Sequence, residues 1–316
     1  MIIVTGGAGF IGSNIVKTLN MNGEDNIIIV DDLTDGKKFS NIVDLKFRDY
    51  LDKDSLISQL DAIHLKEKIT TIFHEGACSD TTEWNGKFML NNNYEYSKSL
   101  FNFCQDHKIS FIYASSAAVY GLNTTCIEEP KYETPLNVYG YSKLLFDNYV
   151  RQHQHKHSQV VGLRYFNVYG PREQHKGKMA SVAYHHTQQL LSGNTVKLFE
   201  GSGGYGHGEQ RRDFISVKDV AKVNLWFQKH HEVSGIFNVG TGRSQTFNEV
   251  AQSVIKYRGK GEIEYIPFPE QLKGRYQHFT QADISHLREA GYNDTFLDVQ
   301  NGVKDYLDEI HPFSIE

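Results

Sequence analysis

The sequence predicts an α/β protein built on a doubly wound parallel sheet, with a smaller C-terminal domain interwoven with it. Three observations support this fold class. Short apolar runs recur along the first half of the chain, polar segments with helical spacing separate them, and a glycine-rich turn joins the first run to the first helical segment. Because parallel strands need crossover connections between them, this alternation indicates a doubly wound sheet.

The predicted elements follow one another along the chain. The apolar runs are IIVTG at 2–6, NIIIVDD at 26–32, TTIFHEGA at 70–77, SFIYASS at 110–116, VVGLRYFNV at 160–168 and GIFNVGTG at 235–242. Helical spacing is clearest in FIGSNIVKTL at 10–19 and NNNYEYSKSLFNFCQDH at 91–107. We predict a first domain over residues 1–167, its sheet completed by about 213–241, and a second domain over 168–316.

The composition excludes several classes of protein. The 316 residues carry a net charge of −5, and the pI is near 6.3, which argues against a nucleic-acid-binding surface. No apolar run approaches the roughly 20 residues that span a bilayer, and the N-terminal MIIVTGG lacks the charged segment of a signal peptide. Cys78, Cys104 and Cys126 lack metal-type spacing and fit free thiols in a reducing cytosol. We expect a cytoplasmic protein without a nucleic-acid or membrane partner.

The turn TGGAGFIG lies between the first predicted strand and the first predicted helix. Gly7, Gly9 and Gly12 fit G-x-G-x-x-G, and Gly6, Gly9 and Gly12 fit G-x-x-G-x-x-G. Such glycines permit a tight turn and a close approach of the backbone to a pyrophosphate, which the helix N-terminus then attracts. A glycine-rich strand–helix turn without a ligand is the alternative, but this placement predicts dinucleotide binding and a Rossmann-type sheet.

The end of the second predicted strand carries the residues that would meet the adenosine ribose. Asp31 and Asp32 lie about 20 residues beyond the last glycine, where an acid normally favours NAD. Lys37 and Lys38 follow closely and could hold a 2′-phosphate, although a solvated lysine pair is the alternative. We therefore predict NADP as the cofactor, with NAD as the less favoured choice.

The stretch NVYGYSK predicts a helix start that pairs a tyrosine with a lysine. If Asn137 caps the helix, residues four apart share one face and residues two apart do not. Tyr139 then lies beside Lys143, whereas Tyr141 points elsewhere. A lone Y-x-x-x-K is a common helical pattern, so its meaning depends on what lies nearby.

A serine at the end of the strand SFIYASS completes a Ser–Tyr–Lys group, because Ser115 and Ser116 come at the carboxyl edge of the sheet. Lowering a tyrosine pKa from about 10 to about 7 requires roughly 4 kcal/mol. One ammonium at about 4 Å supplies up to roughly 4 kcal/mol at an effective dielectric constant of 20. Lys143 and an oxidised cofactor therefore suffice to make Tyr139 a base near neutral pH.

These motifs resemble the extended short-chain dehydrogenase/reductase superfamily of sugar-nucleotide enzymes. The shared features are TGGAGFIG, SSAAVYG, YGYSK and RYFNVYGPRE. Longer stretches resemble the ADP-L-glycero-D-manno-heptose 6-epimerase family over nearly the whole chain: HEGACSDTTEW, NVYGPREQHKGKMASVA, KLFEGS, RRDF and LKGRYQHFTQAD.

The resemblance implies a redox epimerisation of ADP-D-glycero- to ADP-L-glycero-β-D-manno-heptose. A hydride passes from C6 to tightly bound NADP+ and returns to the other face of a transient aldehyde. The family pattern makes Tyr139 one proton-transfer residue, Ser116 its supporting hydroxyl, Lys143 its partner and Lys176 the second base. It also implies a homo-oligomer, with a pentamer suggested, and a role in lipopolysaccharide inner-core heptose precursor synthesis. The first domain would bind NADP, and the second would mainly bind the ADP-heptose substrate.

The same resemblance carries over the family's binding contacts. Those expected to touch the cofactor are Gly6, Gly9, Phe10, Ile11, Gly12, Asp31, Asp32, Lys38, Lys53, Glu75, Gly76, Ala77, Cys78, Ser79, Asn92, Lys143, Val168 and Lys176. Those expected to touch the substrate are Ser116, Asn167, Lys178, His185, Phe199, Glu200, Gly201, Ser202, Arg212 and Tyr276.

Several of these assignments keep an alternative. GSGGYGHGEQRRDF is longer than the family's usual loop, which leaves open whether Arg211 or Arg212 reaches the pyrophosphate, and Arg275 could share that task. Lys178 stands where the family usually has a small residue. His185 could equally be a packed helix histidine.

Three other readings compete with the epimerase. His153, His155 and His157 could suggest a metal, but residues two apart on a helix diverge, so a solvated surface is expected and no metal is predicted. A sugar-nucleotide dehydratase would need carboxylates where Ala117 and Ala118 follow the serine. A non-catalytic NADP-binding regulator would have no need of the Ser–Tyr–Lys group.

Overall fold

The computed structural model describes residues 1–153, 158–270 and 276–313. Its strands are β1 Ile2–Thr5, β2 Ile27–Asp31, β3 Asp49–Asp52, β4 Thr71–His74, β5 Ser110–Ser116, β6 Val160–Tyr165, β7 Asn167–Tyr169, β8 Thr195–Phe199, β9 Arg211–Arg212, β10 Phe214–Ser216, β11 Gly235–Val239, β12 Gln245–Thr246 and β13 Glu262–Ile266. Its α-helices are α1 Phe10–Met21, α2 Lys53–Lys66, α3 Gly86–Leu90, α4 Tyr96–His107, α5 Val138–His153, α6 Val182–Ser192, α7 Val217–Lys229, α8 Phe247–Arg258, α9 Ser285–Glu289 and α10 Val299–Ile310.

The main sheet has the strand order β11-β6-β5-β4-β1-β2-β3. The ladders β3–β2, β2–β1, β1–β4, β4–β5 and β5–β6 are all parallel. The order reverses between β1 and β4, and ligands of open α/β sheets bind outside the carboxyl ends of the strands at such a switch point. The turn after β1 therefore lies where a dinucleotide-binding sheet places its ligand.

The buried strands form because their residues are apolar on both faces. β1, β2, β4 and β6 are buried along their whole length, as expected for parallel strands covered by helices. The core of this part of the chain includes Ile3, Val30, Phe111 and Phe146.

The chain forms two compact units, each assembled from three segments. The first unit comprises 1–119, 135–165 and 220–237. The second comprises 120–134, 166–219 and 238–316. The roles assigned above to the two predicted domains stay predictions.

The second unit contains short two-stranded ladders. β7 pairs in parallel with β10, β8 in parallel with β13, and β9 antiparallel to β12. Its core packs α6, α8 and α10 around residues such as Leu190, Val254 and Val303. These ladders carry several of the predicted substrate contacts at their ends.

Two differences from the sequence expectation have physical causes. The strand β3, with the sequence DYLD, was not predicted because its side chains are half-buried or exposed at the sheet edge and show no apolar run. The predicted strand over 160–168 is in fact two strands, because β6 joins the main sheet whereas β7 pairs with β10.

Some predictions fall outside the described residues, namely those for His155, His157 and Arg275. Among the residues that are described, none of the helices combines the length and apolar character that a membrane crossing requires.

Candidate functional site

The glycine turn after β1 leaves no room for side chains. Gly6 has φ +66°, and a Cβ there would lie 2.6 Å from the backbone nitrogen of Gly76. A Cβ on Gly12 would overlap the carbonyl oxygen of Gly6. Gly9 precedes α1, whose first residues are Phe10 and Ile11. The turn thus has the close backbone packing and the helix N-terminus that a pyrophosphate site needs.

Asp31 links the glycine turn to a lysine. Its Oδ2 accepts a hydrogen bond from the backbone N–H of Ala8 at 2.8 Å, and its Oδ1 accepts one from Lys38 Nζ at 2.6 Å. Asp31 is buried, with 7% of its surface exposed. Lys37, its neighbour in sequence, is exposed. Only the second lysine of the predicted pair therefore lies at the ribose end of the site.

A second acid–lysine pair lies beside the first. Lys53 Nζ is 3.6 Å from Asp32 Oδ2 and donates a hydrogen bond to Asn92 Oδ1 at 3.2 Å. Asn92 lies in a π-helical turn, Asn91–Glu95, between α3 and α4, and such turns recur at functional sites. The pKa of Asp32 is lowered, first by hydrogen bonds from Thr34 and then by the two lysines. The structure thus brings these predicted contacts together.

The EGACS stretch runs from the end of β4 past the glycine turn. The N–H of Gly76 donates to Thr5 Oγ1 at 3.3 Å. Cys78 is tied at both backbone groups to Asn93, at 2.8 Å and 2.9 Å. Ala77 is half-buried and Ser79 is exposed. The stretch is therefore anchored at two points, and the backbone of Glu75 and Gly76 borders the glycine turn.

The helix α5 begins as its sequence predicts. Asn137 Oδ1 accepts from the backbone N–H of Gly140 at 2.8 Å, which is an N-cap interaction. The side chain of Ser116, at the end of β5, acts on the Tyr139 hydroxyl and favours its ionised form. Tyr141 is 46% exposed. The first tyrosine, not the second, therefore meets the serine.

Ser115 serves a different purpose from Ser116. Its hydroxyl donates at 2.9 Å to Asp147 Oδ2, which also accepts from Arg164, and Tyr113 donates to Oδ1. This carboxylate and guanidinium are fully buried. The cluster fixes α5 against β5 and β6, and leaves Ser116 as the serine available to Tyr139.

Lys143 is buried and donates a hydrogen bond to the carbonyl oxygen of Ala114 at 2.8 Å. Burial lowers the pKa of Lys143 to about 8, against the opposing charges of Glu75, Asp147 and the Cys78 side chain.

In the protein without cofactor or substrate, burial raises the pKa of Tyr139, Ser116 opposes that rise, and Cys78 and Glu75 add to it. The lowering expected above counts an oxidised cofactor as well as Lys143, so it stays a prediction.

Glu75, which the sequence predicted only as a cofactor contact, also belongs to a buried hydrogen-bonded chain. Glu75 Oε1 accepts from the hydroxyl of Tyr165 at 3.0 Å, and Asn224 Nδ2 donates to that hydroxyl at 2.9 Å. Burial raises the pKa of Glu75 to about 7, although Tyr165 and Lys143 oppose the rise. No local motif links residues so far apart in sequence, so only the fold could reveal this chain.

The second unit presents the predicted lysines on a loop after β7. Asn167 and Val168 belong to β7, where Asn167 is exposed and Val168 half-buried. Lys176 lies half-buried in the 3₁₀ segment Gln174–Met179, and burial lowers its pKa while Glu173 opposes that effect. Lys178, in the same segment, is exposed.

Arg212 lies in an aromatic cluster. Its guanidinium is 5.0 Å from the ring centroid of Tyr276, which in turn lies 6.5 Å from the Phe199 ring and 5.3 Å from the Phe268 ring. Arg212 is buried, whereas the Arg211 guanidinium donates to Ser244 instead. The geometry favours Arg212 as the pyrophosphate contact.

The remaining predicted substrate contacts surround this cluster or lie on α6. Glu200, Gly201 and Ser202 follow β8, and Ser202 Oγ is 3.3 Å from His278 Nε2. His185 is half-buried on α6. Phe268 was missed because it belongs to no motif. His278 lies within the family-like stretch LKGRYQHFTQAD, but no contact was assigned to it.

A glycine turn at a Rossmann switch point beside a Ser–Tyr–Lys group defines the class of short-chain dehydrogenase/reductase-type enzymes. The chain belongs to the NAD dependent epimerase/dehydratase family, whose model matches residues 2–240. A nicotinamide dinucleotide is accordingly its cofactor class. Among the described residues, no group of three or more His, Cys, Asp or Glu side chains is placed to hold a metal ion.

Comparison with individual proteins gives more specific similarities than the family model does. The chain is 58% identical over 311 residues to ADP-L-glycero-D-manno-heptose-6-epimerase of Alkalilimnicola ehrlichii, covering 98% of this chain and 97% of that protein. The crystal structure of Helicobacter pylori ADP-L-glycero-D-manno-heptose-6-epimerase matches with a TM-score of 0.83 at 36% identity, over 98% of this chain and 96% of that one. Thermus thermophilus UDP-glucose 4-epimerase, in complex with NAD, matches with a TM-score of 0.80 at 26% identity, over 100% and 99%. The predicted fold class and family resemblance are confirmed.

Proposed function

We propose that this protein interconverts ADP-D-glycero-β-D-manno-heptose and ADP-L-glycero-β-D-manno-heptose by transient oxidation at C6. The observation that carries the proposal is the 58% identity, over 98% of the chain, to a protein of that name. UDP-glucose 4-epimerases share the fold at lower identity, so the substrate is the part of the proposal that most needs a direct test.

The residues at the switch point fit a dinucleotide. Side chains at Gly6 and Gly12 would collide with the backbone of Gly76 and Gly6, so the tight turn that a pyrophosphate site needs requires glycine at both positions. A nicotinamide dinucleotide bound there would supply the group that accepts and gives back the hydride. Lys38 and Lys53 bring two ammonium groups to the ribose end, which supports NADP, while the carboxylates of Asp31 and Asp32 reduce their net charge.

The protein's own residues divide the proton transfers. Tyr139, oriented by Ser116, removes or returns the proton of the C6 hydroxyl, and Lys143 holds the strand end that carries the serine. Lys176 matches the second proton-transfer residue of the family pattern. With Tyr139 it gives one proton-transfer group for each of the two stereochemical outcomes. Arg212 and Tyr276 bind the diphosphate and neighbouring parts of the nucleotide.

The deciding experiment needs no added cofactor. Purified protein is mixed with ADP-D-glycero-β-D-manno-heptose, and the C6 epimers are resolved by chromatography. Conversion toward an equilibrium mixture is expected, because a retained cofactor is regenerated in each cycle. No conversion after NADP+ is also added would refute the heptose assignment and direct the search to other sugar nucleotides.

The family pattern also supports a homo-oligomer, a cytoplasmic location and a role in lipopolysaccharide inner-core heptose precursor synthesis. Light scattering coupled to size-exclusion chromatography measures the oligomer mass directly. A monomer mass across the working concentration range would refute the oligomer.

A further inference from the structure

The carboxylate of Glu173 joins the two ends of the loop that carries Lys176. This loop leaves β7 at Gly170 and enters α6 after Ser181, the N-cap residue of that helix. Glu173 lies inside the loop with none of its side chain exposed. A fully buried carboxylate requires hydrogen-bond partners that compensate for its desolvation, and this one lies next to a lysine of the candidate site.

The partners of Glu173 are the two ends of the loop. Its Oε1 accepts from the backbone N–H of Gly170 at 3.2 Å and from the Ser181 hydroxyl at 2.8 Å. Its Oε2 accepts from the backbone N–H of Ser181 at 2.5 Å. The Ser181 hydroxyl also accepts from the N–H of Tyr184 and so caps α6. The carboxylate therefore joins the end of β7 to the start of α6.

The loop backbone needs this support. Gly170, Arg172 and Gly177 all have positive φ values, of +144°, +74° and +52°. Glycine adopts such conformations readily, so of these three residues Arg172 carries the cost, about 1–3 kcal/mol, and it keeps this conformation only where the surroundings impose it. Charge-assisted hydrogen bonds are roughly twice as strong as neutral ones. Glu173 is thus suited to stabilise a loop in which its neighbour Arg172 is strained.

The charge of Glu173 also acts on Lys176. Burial lowers the pKa of Lys176, and the carboxylate opposes that effect. Burial raises the pKa of Glu173, while the hydrogen bonds from Ser181 and Gly170 and the charge of Lys176 oppose the rise. From α10, Tyr306 also faces the carboxylate.

We propose that Glu173 is the positioning residue for Lys176: its carboxylate joins the two ends of the loop and so fixes the segment that presents the lysine. The inference deepens the proposed function, because it assigns a support to one of the two proton-transfer residues. Glu173 itself does not touch the reacting atoms; it acts through the lysine.

The first test needs no substrate. Lysines are labelled competitively with acetic anhydride across a pH series, and Lys176 is compared with exposed Lys178 on the same peptide by mass spectrometry. In Glu173→Gln, we expect Lys176 to be labelled faster relative to Lys178, because loss of the carboxylate lowers its pKa. A fall of one pKa unit gives about a tenfold rate increase below the pKa. Glu262→Gln, on an exposed strand residue, is the matched control.

A second variant separates position from charge. Ser181→Ala removes one hydrogen bond to the carboxylate and the cap of α6 but keeps the charge. Lys176 should then become more accessible, with a higher maximal labelling rate, while the pH at half-maximal rate stays that of the wild type. This variant decides the matter if Glu173→Gln does not fold. An unchanged ratio of Lys176 to Lys178 labelling in the folded variant would overturn the proposal.

The activity assay distinguishes positioning from simple loss of stability. Glu173→Gln should lower kcat, retain the bound dinucleotide and move the pH–rate profile to lower pH. A kcat lowered equally at every pH would contradict the charge effect. If no heptose epimerisation is found even in the wild type, the labelling result still tests Glu173. If the wild type is active and the labelling is unchanged, only the positioning proposal fails.

Discussion

Acid should destabilise the first unit through one buried histidine at the end of β4. His74 is 2% exposed, and its Nδ1 and Nε2 lie 2.6 Å from Thr5 Oγ1 and 2.8 Å from Ser97 Oγ. The Ser97 hydroxyl donates to the carbonyl of Asn93 at 2.7 Å, so it accepts from Nε2–H. The ring is therefore neutral, with its lone pair on Nδ1 directed to Thr5. Protonation would put a charge and a second N–H into this site.

The size of the effect follows from the two pKa values. Burial, with a smaller effect of Lys143, lowers the pKa of His74 in the folded protein to about 3 from a usual value of 6.5. Between these values the unfolded chain binds the proton and the folded protein does not, so stability falls as pH falls. The loss is about 2 kcal/mol between pH 8 and pH 5, and about 4 kcal/mol once pH 3 is reached.

Urea unfolding of the wild type and His74→Gln at pH 8, 6 and 5 measures this linkage. The variant should be less stable at pH 8, because it loses buried hydrogen bonds, but its free energy of unfolding should fall about 2 kcal/mol less by pH 5. His286→Gln, on an exposed residue of α9, should keep the wild-type pH dependence. Parallel pH profiles for the wild type and His74→Gln would refute the reasoning.

Four further predictions concern the site. Tyr139→Phe should lower turnover by about 10²- to 10⁴-fold with the dinucleotide still bound, measured by epimer chromatography and by mass spectrometry of the released cofactor. Lys38→Ala should weaken NADP relative to NAD by roughly 10- to 100-fold in titrations of cofactor-free protein, because it removes a charged partner for a 2′-phosphate. Glu75→Gln should move the acidic limb of the pH–rate profile to lower pH, since the carboxylate raises the pKa of Tyr139. Gly12→Ala should destabilise the protein by about 1–3 kcal/mol and release the cofactor, because its Cβ meets the Gly6 carbonyl; thermal denaturation and absorbance of the purified protein measure both.

Matched controls make these outcomes specific. Tyr141→Phe and Lys37→Ala change exposed neighbours of the same residue types and should leave turnover and cofactor preference near the wild-type values. Near-normal turnover in Tyr139→Phe would remove that residue from the mechanism. Equal losses of NADP and NAD affinity in Lys38→Ala would remove the 2′-phosphate assignment. An unshifted acidic limb in Glu75→Gln, or a wild-type cofactor content in Gly12→Ala, would contradict the corresponding argument.

Local spacing in the sequence was enough for the parts of the site that depend on one element. The turn from Gly6 to Gly12, the cap at Asn137 and the exclusion of Tyr141 follow from strand, turn and helix geometry within a few residues. Apolar runs likewise predicted most strands of the main sheet. The polar edge strand β3 was missed because a strand that is not buried leaves no apolar pattern.

Longer motifs, read through family resemblance, predicted the enzyme class. These motifs did not predict which charged side chains of the site pair with one another. Asp31 meets Lys38 and not Lys37, and Lys53 reaches Asn92, 39 residues away. Sequence alone left the phosphate contact open between two arginines, and the aromatic cluster around Arg212 favours one of them.

The sequence by itself predicted most of the sheet, the glycine turn and the placing of Tyr139 and Lys143 on one helix face, because each depends on the local periodicity of a strand or helix. The role of Lys176 was predicted through the family resemblance alone. Only the tertiary structure decided the pKa of Tyr139 and Glu75, the chain from Glu75 through Tyr165 to Asn224, and the closure of the Lys176 loop by Glu173. These properties depend on burial and on charges that folding brings together from distant segments, and neither is encoded in the spacing of neighbouring residues.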